Sequence, residues 1–389
     1  MRFRVLTLNS IAAKGLDRLP RDRYEVGPEI ARPDAVLVRS ADMHELEIPA
    51  SLKAVARAGA GTNNIPVAGL SRRGVPVFTA PGANANAVKE LVLAGLFLAA
   101  RHVCEAWDFV RRLEAEGEAL EAAVEEGKKR FVGHELPGRT LGVVGLGAIG
   151  VEVANAAHLL GMRVLGYDPQ ITVQRAWQLS SGVEQALSLE DLFSRADAVT
   201  LHVPLTPETR AMVNAGRLRL MRPGATLLNF ARGGIVDEEA VIAALDSGKL
   251  STYVCDFPSP RSRNHPHVVA LPHLGASTSE AEENCAMMVA DTLRDFLENG
   301  NIRHSVNFPE AALPRVPGTS RIAIANSNVP NMVGQISTRL AEAGLNISDL
   351  LNKSKGEVAY TLIDIDGRVP AGLVERIAGI EGVLSVRAV

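Results

Sequence analysis

Three groups of residues in this chain have the types and spacing for chemistry. The first is Val143-Val144-Gly145-Leu146-Gly147-Ala148-Ile149-Gly150, followed eighteen residues later by Asp168. A strand, a tight glycine turn and a helix whose first amides face outward make a cradle for a pyrophosphate. Gly145 permits the turn, Gly147 lets the backbone approach the phosphates and Gly150 lets helix and strand pack closely. An acid about 20 residues on is placed to hold a ribose 2′-hydroxyl. Pro169 and Gln170 follow it, with no adjacent Arg or Lys for a 2′-phosphate, so NAD is expected rather than NADP. The second group is Asn229-Phe230-Ala231-Arg232-Gly233-Gly234, where Arg232 offers a planar fork matched to a carboxylate. The third is Leu271-Pro272-His273-Leu274-Gly275-Ala276. Of the nine histidines, His273 alone combines a strand terminus with a flanking turn of small residues. His202 also ends a strand, but Val203 and Pro204 follow, which suggests a loop touching the cofactor; Gly275 is counted with these contacts. A dinucleotide, an arginine and a histidine together suit hydride transfer at a 2-hydroxy or 2-keto acid. The arginine would clamp carboxylate and carbonyl while the histidine exchanges a proton with the hydroxyl oxygen.

The composition narrows the class. The chain has 389 residues and a formal net charge of −3, with no basic excess of the kind a nucleic-acid binder shows. Its three cysteines form no CxxC pair and no even framework, which fits a reducing cytoplasm. No HExxH occurs, so no metal is indicated. The opening Met1-Arg2-Phe3-Arg4-Val5-Leu6-Thr7-Leu8 reads as a first strand rather than a signal segment. The longest apolar run, Leu91 to Ala100, is too short for a membrane span.

The elements that must position these groups alternate between strand and helix. Strands are expected at 4–8, 35–38, 54–57 and 75–78, with no dinucleotide turn after the first, so this region is assigned to substrate binding. Around the glycine turn they fall at 140–144 and 162–167, and then at 198–202, 226–230, 252–255 and 268–271. A helix is expected at 151–160 and a long one at 283–298. Residues 105–130 read as a solvated helix with a thin apolar stripe through Trp107, Val110, Leu113, Leu120 and Val124, a candidate subunit contact. Residues 309–319, rich in proline, read as a linker. The tail reads as strand 321–325, helix 332–343, strands 347–353 and 358–366, helix 371–378 and strand 383–388. That order is a ferredoxin-like βαββαβ layer.

At these residues the chain resembles the D-2-hydroxyacid dehydrogenases, the phosphoglycerate dehydrogenase branch in particular. The resemblance rests on Arg57-Ala58-Gly59-Ala60-Gly61-Thr62-Asn63-Asn64-Ile65, Pro81-Gly82-Ala83-Asn84, the glycine run, His202 to Thr209, Ala231 to Gly234 and Pro272 to Thr278. The tail resembles an ACT domain. The resemblance implies an α/β protein of two doubly wound parallel-sheet domains: a flavodoxin-like substrate domain (1–98 and 283–310) with an inserted Rossmann domain (99–282). An ACT regulatory domain (319–389) follows. It implies oxidation of 3-phosphoglycerate with NAD, the first step of serine synthesis, in a homodimer or homotetramer. Arg232 would be the substrate clamp and His273 the acid–base residue. Arg39, Ser40, Gly61 and Asn84 would line the substrate side, with Arg57 and Arg72 as candidates for its phosphate. Ala148 and Ile149 would lie over the pyrophosphate, and Thr209, Ala231 and Asp256 near the nicotinamide. Asn326, Asn328 and Asn346 fall where the family binds an L-serine effector.

One departure stands out. The family places a Glu about five residues after the position of Asp256, where it orients the histidine; here Arg261 stands there and no acid appears before Glu280. A carboxylate partner would fix the imidazole tautomer and raise its pKa. Two other readings compete with a phosphoglycerate dehydrogenase, and the missing Glu motivates the second. One is a dehydrogenase for hydroxypyruvate or glyoxylate. The other is an NAD-sensing binding protein with weak catalysis.

Overall fold

Seven consecutive parallel strands of the middle third explain most of its sequence pattern. The computed structural model describes residues 2–389. These divide into two compact units: residues up to 83 together with 282–389, and residues 84–281.

The first unit opens with strands β1 (Phe3–Leu8), β2 (Tyr24–Gly27), β3 (Ala35–Val38), β4 (Ala54–Arg57) and β5 (Val77–Phe78). They form a parallel sheet in the order β2-β1-β3-β4-β5, the flavodoxin-like arrangement expected. β3 is buried along its whole length, as a strand covered on both faces must be.

The second unit holds β6 (Thr140–Val144), β7 (Arg163–Tyr167), β8 (Val183–Gln185), β9 (Ala198–Leu201), β10 (Ala225–Asn229), β11 (Leu250–Cys255) and β12 (Val268–Ala270). Their order is β12-β11-β10-β9-β6-β7-β8, all parallel, so the chain changes direction across the sheet between β6 and β9. Ligands bind at such a reversal, outside the carboxyl ends of the strands. The chain first crosses into this unit at Asn84 rather than at the expected 99. The helix Ala85–Ala100 sends Val88, Val92, Leu96 and Ala99 into one core with Leu141, Val143, Leu228 and Val254. A Cβ at its Gly95 would come within 3.1 Å of Phe230 and 3.2 Å of Leu228, so a small residue is what lets the helix lie down.

The expected single helix over 105–130 is two, Val103–Arg111 and Gly117–Gly127, separated by residues 112–116, and the second opens at Gly117 with φ +58. Neither buries its stripe: Trp107 is 59% exposed and Val110 49%.

The tail forms β13 (Thr319–Ser327), β14 (Ile347–Lys355), β15 (Val358–Asp366) and β16 (Val383–Ala388), antiparallel in the order β14-β15-β13-β16, with the expected βαββαβ connection. Alternation sorts β13 onto two cores. Ile322 and Ile324 face the helices Met332–Glu342 and Leu373–Ala378 through Ile336, Leu340 and Ile377. Ala323 and Ala325, with Tyr360 and Leu362, pack instead with Phe78, Phe296 and Phe308 of the first sheet's layer. The tail and the first sheet thus share a core within one unit.

Residues 309–318 are correspondingly no free linker. The Arg321 guanidinium, fully buried, donates to both carboxylate oxygens of Asp364 at 2.6 and 2.7 Å. It also donates to the carbonyls of Leu313 (2.7 Å) and Pro314 (2.9 Å), clasping that segment to β13. Tyr360 adds a bond from its hydroxyl to the Gly300 carbonyl at 2.7 Å. No helix among the described residues is long and apolar enough to cross a membrane.

Candidate active site

The turn after β6 has the geometry a pyrophosphate needs. Gly145 has φ +91, and a Cβ there would lie 2.6 Å from the His202 carbonyl oxygen; one at Gly150 would lie 1.8 Å from the Gly145 carbonyl. Only glycine allows loop, helix and neighbouring strand to approach so closely. Gly147, by contrast, would meet nothing within 4 Å, so its face is open. The helix Ala148–Leu159 begins there with no side-chain cap and no acid in its first turn, which leaves its leading amides for an anion. Asp168 sits at the end of β7, its Oδ2 accepting from Leu146 N and its Oδ1 from Gln170 N, both at 2.8 Å. These bonds tie the glycine turn to the acid expected at the ribose. The residues present fit a dinucleotide: an open glycine at the helix start, free amides and a carboxylate at the next strand end.

His202 and Val203 lie against Gly145, at the reversal of strand order. Burial pushes the His202 imidazole from 6.5 down to about 3, and its Nε2 lies 3.0 Å from Thr200 Oγ1. This histidine is neutral at ordinary pH and suits a wall rather than a proton carrier. Pro204 and Thr209 belong to the same loop: Thr209 Oγ1 donates to the Pro204 carbonyl at 2.6 Å.

Arg232 and His273 come from the ends of strands separated by one strand only. Asn229 of β10 is level with Cys255 of β11, and Cys255 with Ala270 of β12. Strands lie about 4.8 Å apart, so the two outer ends are roughly 10 Å apart. Between them sits Phe257. A Cβ on Gly233 would come within 3.2 Å of Phe257 Cβ, and the Phe257 ring lies 4.8 Å from the His273 ring, tilted by 51°. Both functional side chains are exposed.

Each is held through its backbone. Asn229, fully buried, donates from Nδ2 to the Arg232 carbonyl at 2.9 Å and accepts at Oδ1 from Ala231 N at 3.2 Å. Asp256, 1% exposed, accepts from Leu274 N at 3.0 Å and Gly275 N at 2.7 Å. His273 itself has φ +57, a left-handed conformation that costs a non-glycine residue and that Asp256 holds from the other side of the turn. Asp256 therefore fixes the His273 turn. Arg261, at the family's Glu position, pairs with Glu239 at 2.6 Å. The ring neighbour of His273 is Phe257, a role that its apolar type alone did not announce.

In the other unit, Arg39 and Ser40 follow β3, and Arg57 ends β4, with Arg57 Nε donating to the Arg39 carbonyl at 3.1 Å. Arg39 pairs with Glu282. Gly61 lies in the loop after β4. These residues share the carboxyl edge of the first sheet. Arg72 does not: it ends the helix Val67–Arg72, which runs back to the amino end of β5. Asn84 precedes the helix Ala85–Ala100 and belongs to residues 84–281.

In the tail, Asn326 lies near the end of β13 and Asn328 just after it. Asn326 is 1% exposed and its Oδ1 has no partner. Asn346 lies elsewhere. Its carbonyl accepts from Asp366 N, while Asn326 pairs with Ala359, seven residues away along β15. At about 3.3 Å per residue that is roughly 23 Å, so one tail does not bring the three asparagines together.

With this geometry in view, comparison with known proteins is specific. Residues 93–275 match the family model for the D-isomer specific 2-hydroxyacid dehydrogenase, NAD binding domain. D-3-phosphoglycerate dehydrogenase of Haemophilus influenzae is 34% identical over 341 residues, covering 84% of this chain and 78% of that one. The protein of that name from Synechocystis sp. is 36% identical over 325 residues, covering 79% of this chain and 56% of its own. The chain thus spans little more than half the length of some curated relatives. The crystal structure of the NAD⁺-bound 3-phosphoglycerate dehydrogenase of Entamoeba histolytica superposes with a TM-score of 0.63 at 26% identity, covering 79% of this chain and 99% of that one. The chain belongs to the D-isomer-specific 2-hydroxyacid dehydrogenase family and carries its NAD-binding domain.

Proposed function

We propose that this protein oxidises 3-phosphoglycerate to 3-phosphohydroxypyruvate with NAD, the first step of serine synthesis. The observation that supports the reaction type is that Arg232 and His273 stand at the ends of strands one apart in the sheet that carries the dinucleotide turn, with Phe257 against Gly233 and the His273 ring. Bound NAD supplies the acceptor for the hydride leaving C2 of the hydroxy acid. The Arg232 fork holds the substrate carboxylate and the oxygen on C2. An imidazole nitrogen of His273 takes the hydroxyl proton in oxidation and returns it in reduction. Asp256 and Asn229 keep both turns in place through the backbone, so the missing Glu leaves orientation of the ring to Phe257 and to the clamped turn. The substrate assignment rests on the names of the relatives, and steady-state NADH oxidation tests it. Phosphohydroxypyruvate should be turned over with a far higher kcat/KM than hydroxypyruvate or glyoxylate; equal values would reassign the substrate, and no turnover with any would favour an NAD-sensing protein.

The unpartnered Oδ1 of buried Asn326 supports a polar effector such as L-serine at the end of β13. Because Asn346 is remote within one tail, such a site needs a second copy of the chain. The exposed Trp107, Val103 and Val110 offer that copy an apolar face elsewhere, which supports a homo-oligomer. The three cysteines are free, as in a reducing cytoplasm. Calorimetry with L-serine on the full chain and on Asn346→Ala checks the effector; equal heats would remove Asn346 from it.

A further inference from the structure

A cavity of about 490 Å³ lies within the first unit, between the tail's β16 and the amino edge of the first sheet. That volume lies in the range of small-molecule sites. Its polar wall is made by Lys53, Arg73, Ser385 and Arg387, and part of its apolar wall by Phe296 and Leu384. The cavity is not the substrate site. Lys53 precedes β4 and Arg73 precedes β5, whereas Arg39, Ser40 and Arg57 stand at the opposite, carboxyl edge, about 13 Å away along a four-residue strand.

Its charges are unbalanced. Lys53 is paired with Asp34 at 2.7 Å. Neither guanidinium forms an ion pair among the described residues: Arg73 donates to the Ile48 and Pro49 carbonyls at 2.8 and 2.9 Å. Arg387 donates to the Leu297 carbonyl at 3.1 Å and to that of Phe296, whose ring it covers at 4.2 Å. Carbonyl partners satisfy hydrogen-bond geometry but leave the positive charge in place, and a guanidinium has five donors. Burial pulls the Arg387 pKa below its ordinary value, with Tyr360 and Asp34 opposing.

We propose that this cavity binds a small anion, a phosphate or carboxylate group on a compact body, and so fastens the tail to the first sheet. The contact it would reinforce is already tight: Ser385 Oγ donates to the Gly74 carbonyl at 3.0 Å, and a Cβ on Gly74 would lie 2.7 Å from that oxygen. Both sides of the seam contribute cations, Lys53 and Arg73 from the first sheet and Arg387 from the tail, so an anion between them is attracted by both.

Calorimetric titration of the full chain with inorganic phosphate and, separately, with malonate tests this. Saturable binding of at least one is expected, and the anion that binds identifies the group. Arg73→Met and Lys53→Met should each weaken it roughly tenfold, the loss expected for one charge-assisted contact. Arg232→Met should leave it unchanged, which separates this cavity from the candidate active site. Arg387→Lys tests the tail's side, but the rim variants carry the experiment should that one fail to fold. Absence of saturable binding of both anions to the unaltered protein overturns the proposal. So does an affinity unchanged in both rim variants, or one lost in Arg232→Met.

Discussion

The turns after β10, β11 and β12 and the seam that holds β13 are built from the same material to opposite ends. In both, buried polar side chains are bonded to main chain. In the turns, Asn229 and Asp256 are inside, while the charged and titratable side chains they support, Arg232 and His273, point out to solvent. In the seam the charges themselves are inside: Arg321 and Asp364 are both fully buried and use their hydrogen-bonding groups on each other and on the chain around them. An exposed fork and ring on a clamped backbone are ready for a ligand. A buried pair with its bonds satisfied is committed to holding two segments together.

The comparison makes four predictions. Replacing His273 with Ala should lower turnover by ~10²–10⁴-fold, the usual worth of a positioned acid–base group, and leave the urea midpoint unchanged because the ring is exposed. A matching fall in stability would mean the turn is structural instead. In the seam the pattern should invert. Arg321→Met leaves Asp364 as a lone buried charge and should cost about 3–5 kcal/mol in urea unfolding, with turnover per folded molecule preserved. Adding Asp364→Leu should recover part of the loss; a double variant as unstable as the sum of the singles would show that the pair does not couple.

Asp256 lies between these extremes. Asp256→Ala frees two amides from a charged acceptor and should cost about 2–3 kcal/mol together with a drop in kcat. Lost stability with unaltered kcat would remove it from the positioning of His273. The smallest effect is set by pH at His202. Its folded pKa is depressed, so its contribution to stability is complete above the ordinary value of 6.5 and is lost as pH falls from there toward about 3. The slope should be at most about 1.4 kcal/mol per pH unit, and His202→Asn should flatten it in chemical denaturation at graded pH.

Much of the fold is legible in the chain. β3, β4, β6, β15 and β16 fall at the residues expected from apolar runs and their punctuation. β2 and β8 escape that reading: Tyr24–Gly27 is four residues and ends in glycine, and Val183–Gln185 is a mostly exposed edge strand with a single apolar residue. The site is legible to the same depth. Arg232 and His273 stand at strand ends beside small-residue turns, a local signal. Phe257 carried none, because a phenylalanine after a strand reads as core until its neighbour across the sheet is known.

The sequence by itself determined the dinucleotide turn, the strand ends that carry Arg232 and His273, and the βαββαβ order of the tail. Each rests on local backbone demands or on periodicity along one segment, such as the positive φ at Gly145. Only the tertiary structure decided that Arg321 meets Asp364, 43 residues away, and so turns an apparent linker into part of a core. It alone decided that Asn346 stands apart from Asn326, and that Lys53, Arg73 and Arg387 face one cavity. Those relations depend on the register between distant segments, which no stretch of the chain encodes alone.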